Sequence, residues 1–469
     1  MQNTYVTRLQ VLAVVIVIVT ASAMTLHAQK FSVLYRLGSK STDPAYPSWI
    51  GLFAQGRDGN LYSTSQYGGK GYGTVFQLTP AGKVKVLRGF AGQNAQGGLP
   101  TGGLTLGTDG SLYGTSAGGG LAYGTVFKIT TSGKFTTLHN FNGSTEGETP
   151  YAPPIQGTDG NFYGTTCEGY NQVRGVVYKM MPSGKMTILH TFSGRPGSFA
   201  CPLALVQGID GDFYGTTLGA GGGGMVFKIT AHGEFTALHT FSSTDGQFAT
   251  GPIIQASDGN FYGTTAKGGS NNSGTVYKMT PAGALNVLYN FKGLDGSPFA
   301  GLLQGTDGKF YGAASRGGTG TVGGLFQFTS KGKYTGLHSF KFRSPTGDIP
   351  LVSLFQHTNG TFYSDTYEGG LKGCNDGCGV LYSLSMGLGP FVSFVPSLSS
   401  GKVGKTIQIL GQGFTGTTNV SFNGASATFS AVSDTYLTAV VPAGATTGSV
   451  TVTTPGGTLT SNKVFRVTP

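Results

Sequence analysis

Charge is scarce in this sequence: Asp, Glu, Lys and Arg together make up 10% of its 469 residues. That excludes a highly charged disordered chain, which depends on strong net charge and few apolar residues. Apolar runs are scarce too. Past residue 19 no stretch approaches the roughly 20 apolar residues of a membrane helix, and no helical hydrophobic period appears. Cysteine is limited to four residues and tryptophan to Trp49. There is no phosphate loop, nucleophile elbow or zinc-protease motif. The run "GAGGGG" at 219–224 is not a dinucleotide fingerprint, because no helix follows it.

Glycine is abundant instead, with 82 residues, beside 31 Phe and 22 Tyr. So many aromatics, with glycines at recurring places, point to a folded, turn-rich chain. "GTDGNFYGTT" at 157–166 has near-copies starting at Gly56, Gly107, Gly208, Ala256, Gly305 and His357. The turn residues are Asp58, Asp109, Asp159, Asp210, Asp258, Asp307 and Asn359, at separations of 51, 50, 51, 48, 49 and 52. Such a period in an all-strand pattern is that of propeller blades.

Each unit reads as four antiparallel strands, as in "APPIQG", "NFYGTT", "GVVYKM" and "KMTILHTF" of the third. Asp-Gly and Ser-Gly stand at the short connections because hairpin turns need positive φ. The last unit lacks a fourth strand, and "KFSVLYRLGS" at 30–39 matches one. The fold class expected is all-β: a seven-bladed β-propeller over 30–386 closed by an N-terminal strand, which removes exposed sheet edges. Short turns would then share one face. Long loops and the crossings between units would share the other, where sequence variety concentrates.

Residues 1–28 have the features of a signal peptide: Arg8, an apolar run at 11–19, and small residues at Ala21, Ala23 and Ala28. Its removal lowers the net charge from +11 to +10 and leaves no transmembrane helix. The remaining Lys and Arg are scattered, which suits a solvated basic surface and not a nucleic-acid patch. For an exported chain, Cys167, Cys201, Cys374 and Cys378 read as two disulfides. Cys167 and Cys201 fall in neighbouring units on the long-loop face, and Cys374 and Cys378 in one loop, which favours those two pairs. Zinc is the alternative, without a nearby His to support it.

No constellation for catalysis is evident. His139, His190, His239 and His338 occupy one repeated place in the fourth strand, a structural pattern. The turn aspartates read as turn caps, one per unit, not as converging calcium ligands. Asp365 with Glu368 is the one acid pair suggested, and no metal or cofactor is expected. Candidates for ligand binding are Tyr46, Trp49, Leu99, Tyr151, Phe199, Phe248 and Phe299, just before the first strands, where aromatic platforms stack on sugar rings. The alternative is that they wedge between blades as core. Tyr67, Tyr72, Tyr123, Tyr170 and Tyr367 of the long loops form a second set.

After Met386 the repeat ends. "TIQILG", "NVSFNG", "ATFSAVS", "YLTAVVP" and "SVTVTTPGG" alternate as strands of a small immunoglobulin-like sandwich over 389–469. The opening "PSLSSGKVG" with "ILGQGF", "VSFNG", "VVPAGATTG" and "VTTPGG" resembles an IPT/TIG domain. That likeness implies an extracellular spacer or binding module. The repeats, with "QGTDGNFYGTT" and "GTVFKIT", resemble the GloVer repeat of choice-of-anchor bacterial surface proteins, which implies no enzymatic mechanism. A looser likeness, carried by the Asp-Gly turn alone, is to sensor propellers and propeller lyases. The function expected is non-catalytic recognition or adhesion, with polysaccharide or a surface protein as partner. A lyase-like carbohydrate-active enzyme and a structural scaffold are the alternatives.

Overall fold

The short turns explain why each unit folds locally. In the third unit Gly160 takes φ of 84°, while Asp159 accepts the Asn161 amide at 3.1 Å and the Tyr163 hydroxyl at 2.8 Å. Glycine supplies the conformation and aspartate satisfies the donors. The same tyrosine-to-aspartate bond recurs at Asp58, Asp109, Asp210, Asp258 and Asp307, at 2.7–3.0 Å. In the seventh unit Asn359 donates to Tyr363 instead.

The computed structural model describes residues 29–47, 51–92, 97–119, 121, 123–167, 175–192, 201–219, 223–292, 296–316, 321–370, 374, 376–396 and 400–469. The signal-peptide segment, Trp49, Tyr170 and Phe199 lie outside them. Among the described residues all regular structure is strand. The repeats form six four-stranded antiparallel sheets and one of five strands, a propeller-like arrangement. First strands are short, as at Ile155–Gln156 and Phe355–Gln356. Lys30–Arg36 pairs with Val380–Ser385 of the seventh unit, Lys30 opposite Ser385.

Three kinds of contact join neighbouring sheets. Second-strand tyrosines lie against the following phenylalanine, as in Tyr113–Phe162 and Tyr163–Phe213, with ring centroids 4.0 and 3.8 Å apart. A first-strand glutamine accepts an amide from the preceding turn. These pairs are Thr108–Gln156, Thr158–Gln207, Ile209–Gln255, Ser257–Gln304 and Thr306–Gln356, at 2.8–3.1 Å. The seventh and first units are joined likewise, Thr358 to Gln55 at 3.0 Å.

The third contact alternates in kind. Where the next unit begins its fourth strand with an aromatic, the residue at the histidine place stacks on it: Arg88 on Phe135, His190 on Phe235, Tyr289 on Tyr334 and His338 on Phe31. Where the next unit offers Met186, Leu285 or Val84, that residue binds an acid instead. His139 meets Glu146 at 3.0 Å, His239 meets Asp245 at 2.8 Å, and Tyr35 meets Asp43 at 2.7 Å.

The glutamine latch is absent between the first and second units, where Leu106 stands in its place. Residues 390–469 dock there. Gln408 donates to the Thr108 carbonyl at 2.8 Å and accepts from Arg57 at 2.9 Å, and Arg57 lies over the Tyr436 ring. Val395, Leu410 and Tyr436 share one apolar cluster with Leu104, Leu106 and Leu112. This segment has two four-stranded sheets around a core that includes Ile409, Val420, Phe422, Leu437 and Val450. It sits on the short-turn side, leaving the long loops uncovered by it.

Candidate functional site

At six described crossings on the long-loop face a residue takes a left-handed conformation, namely Tyr46, Leu99, Thr149, Phe248, Ser297 and Ile349, with φ between 49° and 59°, and Arg343 at 51° adds a second in the last of them. Such a conformation costs a non-glycine residue about 1 kcal/mol or more. Its compensation is visible. Leu99 donates to Tyr72 of one long loop and accepts from Ala117 of the next; Phe248 does the same with Gly223 and Ala266.

The expected ring of candidates therefore divides. Tyr46, Leu99 and Phe248 occupy the left-handed place, and Tyr151 and Phe299 stand two residues beyond it. None is fully buried: Phe248 is exposed and the other four are half-buried. Tyr151 packs on the Cys167–Cys201 disulfide, which joins the third and fourth units. Phe248 lies under the ammonium of Lys267, 5.2 Å from its ring centre.

Tyr46 is brought to a cluster. Its ring lies 5.8 Å from Tyr67 at 83°, and 5.3 Å from Tyr367 at 51°. Tyr67 is 44% exposed. Beside Tyr367, Glu368 faces Asp348 across a backbone bridge with bonds of 3.0 and 3.4 Å. Asp376 sits within the Cys374–Cys378 disulfide loop. Its carbonyl accepts from Gly369 at 2.9 Å and its carboxylate pairs with Arg343.

Of the three carboxylates Asp376 is paired with the Arg343 guanidinium, whose charge also reaches Asp348 and Glu368. Burial first, then the charges of Asp348 and Asp376, raises Glu368 above the ordinary carboxylate range. Burial first, then the charge of Asp376, raises Asp348, although its Oδ2 accepts the Arg343 amide at 2.7 Å. Burial, then Glu368 and Asp376, also raises the Tyr46 hydroxyl.

The pairing of Asp365 with Glu368 is corrected. Asp365 occupies the second-strand place where Thr115, Thr165 and Thr264 donate to the next unit's carbonyls. Strand alternation turns it into the packed interior, and neither of its oxygens has a hydrogen-bond partner. Burial holds it well above the usual carboxylate range. Glu368 finds Asp348 instead, an acid that the spacing between crossing and long loop did not reveal.

The model of the Gloeobacter/Verrucomicrobia repeat matches the chain over residues 19–202, 150–382 and 201–429. Among solved structures, the chain is similar to selenomethionine-substituted virginiamycin B lyase from Staphylococcus aureus, with a TM-score of 0.51 and 14% identity over 76% of this chain and 99% of that one. A catalytically inactive variant of that lyase with quinupristin gives the same values. A putative oxidoreductase (glucose dehydrogenase) from Thermus thermophilus matches with a TM-score of 0.42 and 15% identity, over 64% of this chain and 100% of that one. At these identities the likeness is one of fold. No curated protein matches the chain.

Proposed function

The chain belongs to the Gloeobacter/Verrucomicrobia repeat family, and from that premise we propose that it is an exported, non-catalytic recognition protein. It is a closed seven-bladed propeller over 30–386 with an immunoglobulin-like IPT/TIG sandwich over 389–469, and it binds glycan through its long-loop face. The observation that carries this reading is the convergence of Tyr46, Tyr67 and Tyr367 on that face, next to carboxylates able to accept sugar hydroxyls. Leu99, Tyr151, Phe248 and Phe299 extend the surface around the rim. Export is supported by the two disulfides, and no helix among the described residues is long and apolar enough to cross a membrane.

The lyase reading rests on likeness of fold to virginiamycin B lyase, and the sector's chemistry does not favour it. The histidines at 139, 190, 239 and 338 belong to outer strands and His357 to a short turn, so none stands beside Glu368 or Asp376 as a base. A glycan array probed with the mature chain and with a folded Tyr67→Ala/Tyr367→Ala variant tests the proposal. Saturable binding lost in the variant is expected. Binding that survives in the variant would remove the site from this sector, and no binding by the wild-type chain would turn the search to a protein partner.

A further inference from the structure

The tyrosine and carboxylate sector differs chemically from two other sectors of the long-loop face, while the crossing before the third unit also carries an acid, Glu148, ahead of its left-handed Thr149. The backbone bridge that joins Asp348 to Glu368 has counterparts that join Gly98 to Gly118 and Gln247 to Lys267. At those places the chain presents no acid. In the last of them it presents its own ammonium, and Lys267 uses it to cover the face of Phe248. At the place of Lys267 the acidic sector has Glu368, beside the aromatic rings.

Resting on the glycan reading above, we propose that this sector binds the protonated amine of an amino sugar, so that the ligand is a polysaccharide with unacetylated hexosamine units. Two independent features converge on that chemistry. The first is charge. Asp348, Glu368 and Asp376 face a single guanidinium, Arg343, whose bonds go to Asp376. Asp348 is fully buried, and its Oδ1 accepts no hydrogen bond. A cation at the half-exposed edge, beside Glu368, would offset a repulsion that Arg343 compensates in part.

The second is the arrangement of the rings. Tyr46 stands at 83° to Tyr67 and at 51° to Tyr367, so the rings are not coplanar and a single exposed ring, that of Tyr67, is available to a ligand at a time. A partly exposed tyrosine ring, such as that of Tyr67, beside carboxylates attracts an ammonium group. The chain is basic overall, at +11, which opposes a cationic ligand at long range. Scattered lysines beyond the Debye length of about 8 Å are screened at physiological salt, and the local carboxylates are not.

The disulfide between Cys374 and Cys378 fits this reading, because it fixes the short loop that carries Asp376 against Gly369 and Arg343.

The test is a titration of the mature full chain with a β-1,4-linked glucosamine hexamer and, separately, with its fully N-acetylated form. The free-amine hexamer is expected to bind about tenfold more tightly, in line with an ammonium held by aromatic faces and a carboxylate. Glu368→Gln is expected to abolish that preference. Tyr67→Ala should weaken the free-amine hexamer severalfold, and because Tyr67 is exposed it reports even where Glu368→Gln disturbs the loop. Equal or tighter binding of the acetylated hexamer would overturn the inference and leave the glycan reading standing. So would failure of both hexamers with a neutral glycan bound in a Tyr67-dependent way. Absence of binding to every glycan would overturn both.

Discussion

His338 of the sixth unit lies flat against Phe31, with ring centroids 3.8 Å apart and planes within 6°. More than 300 residues separate them in sequence, yet the contact repeats what His190 makes with Phe235 in the adjacent third and fourth units. Lys30–Arg36 therefore occupies the fourth-strand place of the seventh sheet in both backbone pairing and side-chain packing. Phe31→Ala should cost about 2–3 kcal/mol of unfolding free energy, less than a fully buried phenylalanine because Phe31 is half-buried. Denaturant unfolding measures this. A loss below about 0.5 kcal/mol, the range of an ordinary surface substitution, would show that the strand does not hold the ring.

Arg57 and Leu106 mark the joint without a glutamine latch, and Gln408 and Tyr436 cover it. Arg57→Ala should lower stability by about 2–3 kcal/mol, since two charged hydrogen bonds, to the Thr108 carbonyl and to Gln408, and one cation–ring contact are lost. It should also speed proteolysis near Met386. A tail acting as a loose spacer would leave both melting temperature and cleavage rate unchanged.

Asp365→Thr is expected to stabilise the protein by about 2 kcal/mol at neutral pH, because it replaces a buried, unpartnered carboxyl with the residue that bonds the next unit elsewhere. Thermal melts of the two chains provide the comparison. Destabilisation would mean that the carboxyl has a native role which packing does not disclose.

The pH dependence should have two limbs. Burial opposes ionisation of Asp109, Asp159, Asp210 and Asp258, but lysine, tyrosine and amide donors outweigh it and hold all four below their ordinary range, Asp258 at about 2. Groups depressed in the folded state give stability above their unfolded value, near 4, that is lost as pH falls toward 2. Asp348, Asp365 and Glu368 are raised by burial, so their protonation favours the fold as pH falls through their folded values. Burial lowers His190, His338 and His357, which therefore lose stability as pH falls through their unfolded value near 6.5 and oppose the gain from the acids, so melting temperature should change little on mild acidification and fall steeply below about 4. A steep decline already between about pH 7 and 5 would contradict this.

The repeat made most of the fold legible. Asp-Gly turns must bend, and alternating apolar residues must pack on both faces, so unit length and strand count followed from local chemistry. The disulfide pairs followed from placing the cysteines on one face. The site was less legible because its parts come from separate places: Tyr46 from one crossing, Asp348 from another, and Glu368 and Asp376 from a long loop. The left-handed residues had a signal, the proline that follows Tyr46, Leu99, Thr149, Ser297 and Ile349. The docking of the tail had a fainter one, the single Leu106 among glutamines, whose meaning depends on a partner some 300 residues away.

Hydrogen–deuterium exchange with and without a bound oligosaccharide tests the recognition face most directly. Slower exchange confined to residues 43–47, 66–72 and 366–379 is the predicted footprint. Protection instead at the short turns around Asp58 and Asp159, or across the tail strands, would place recognition on the opposite face and contradict the account.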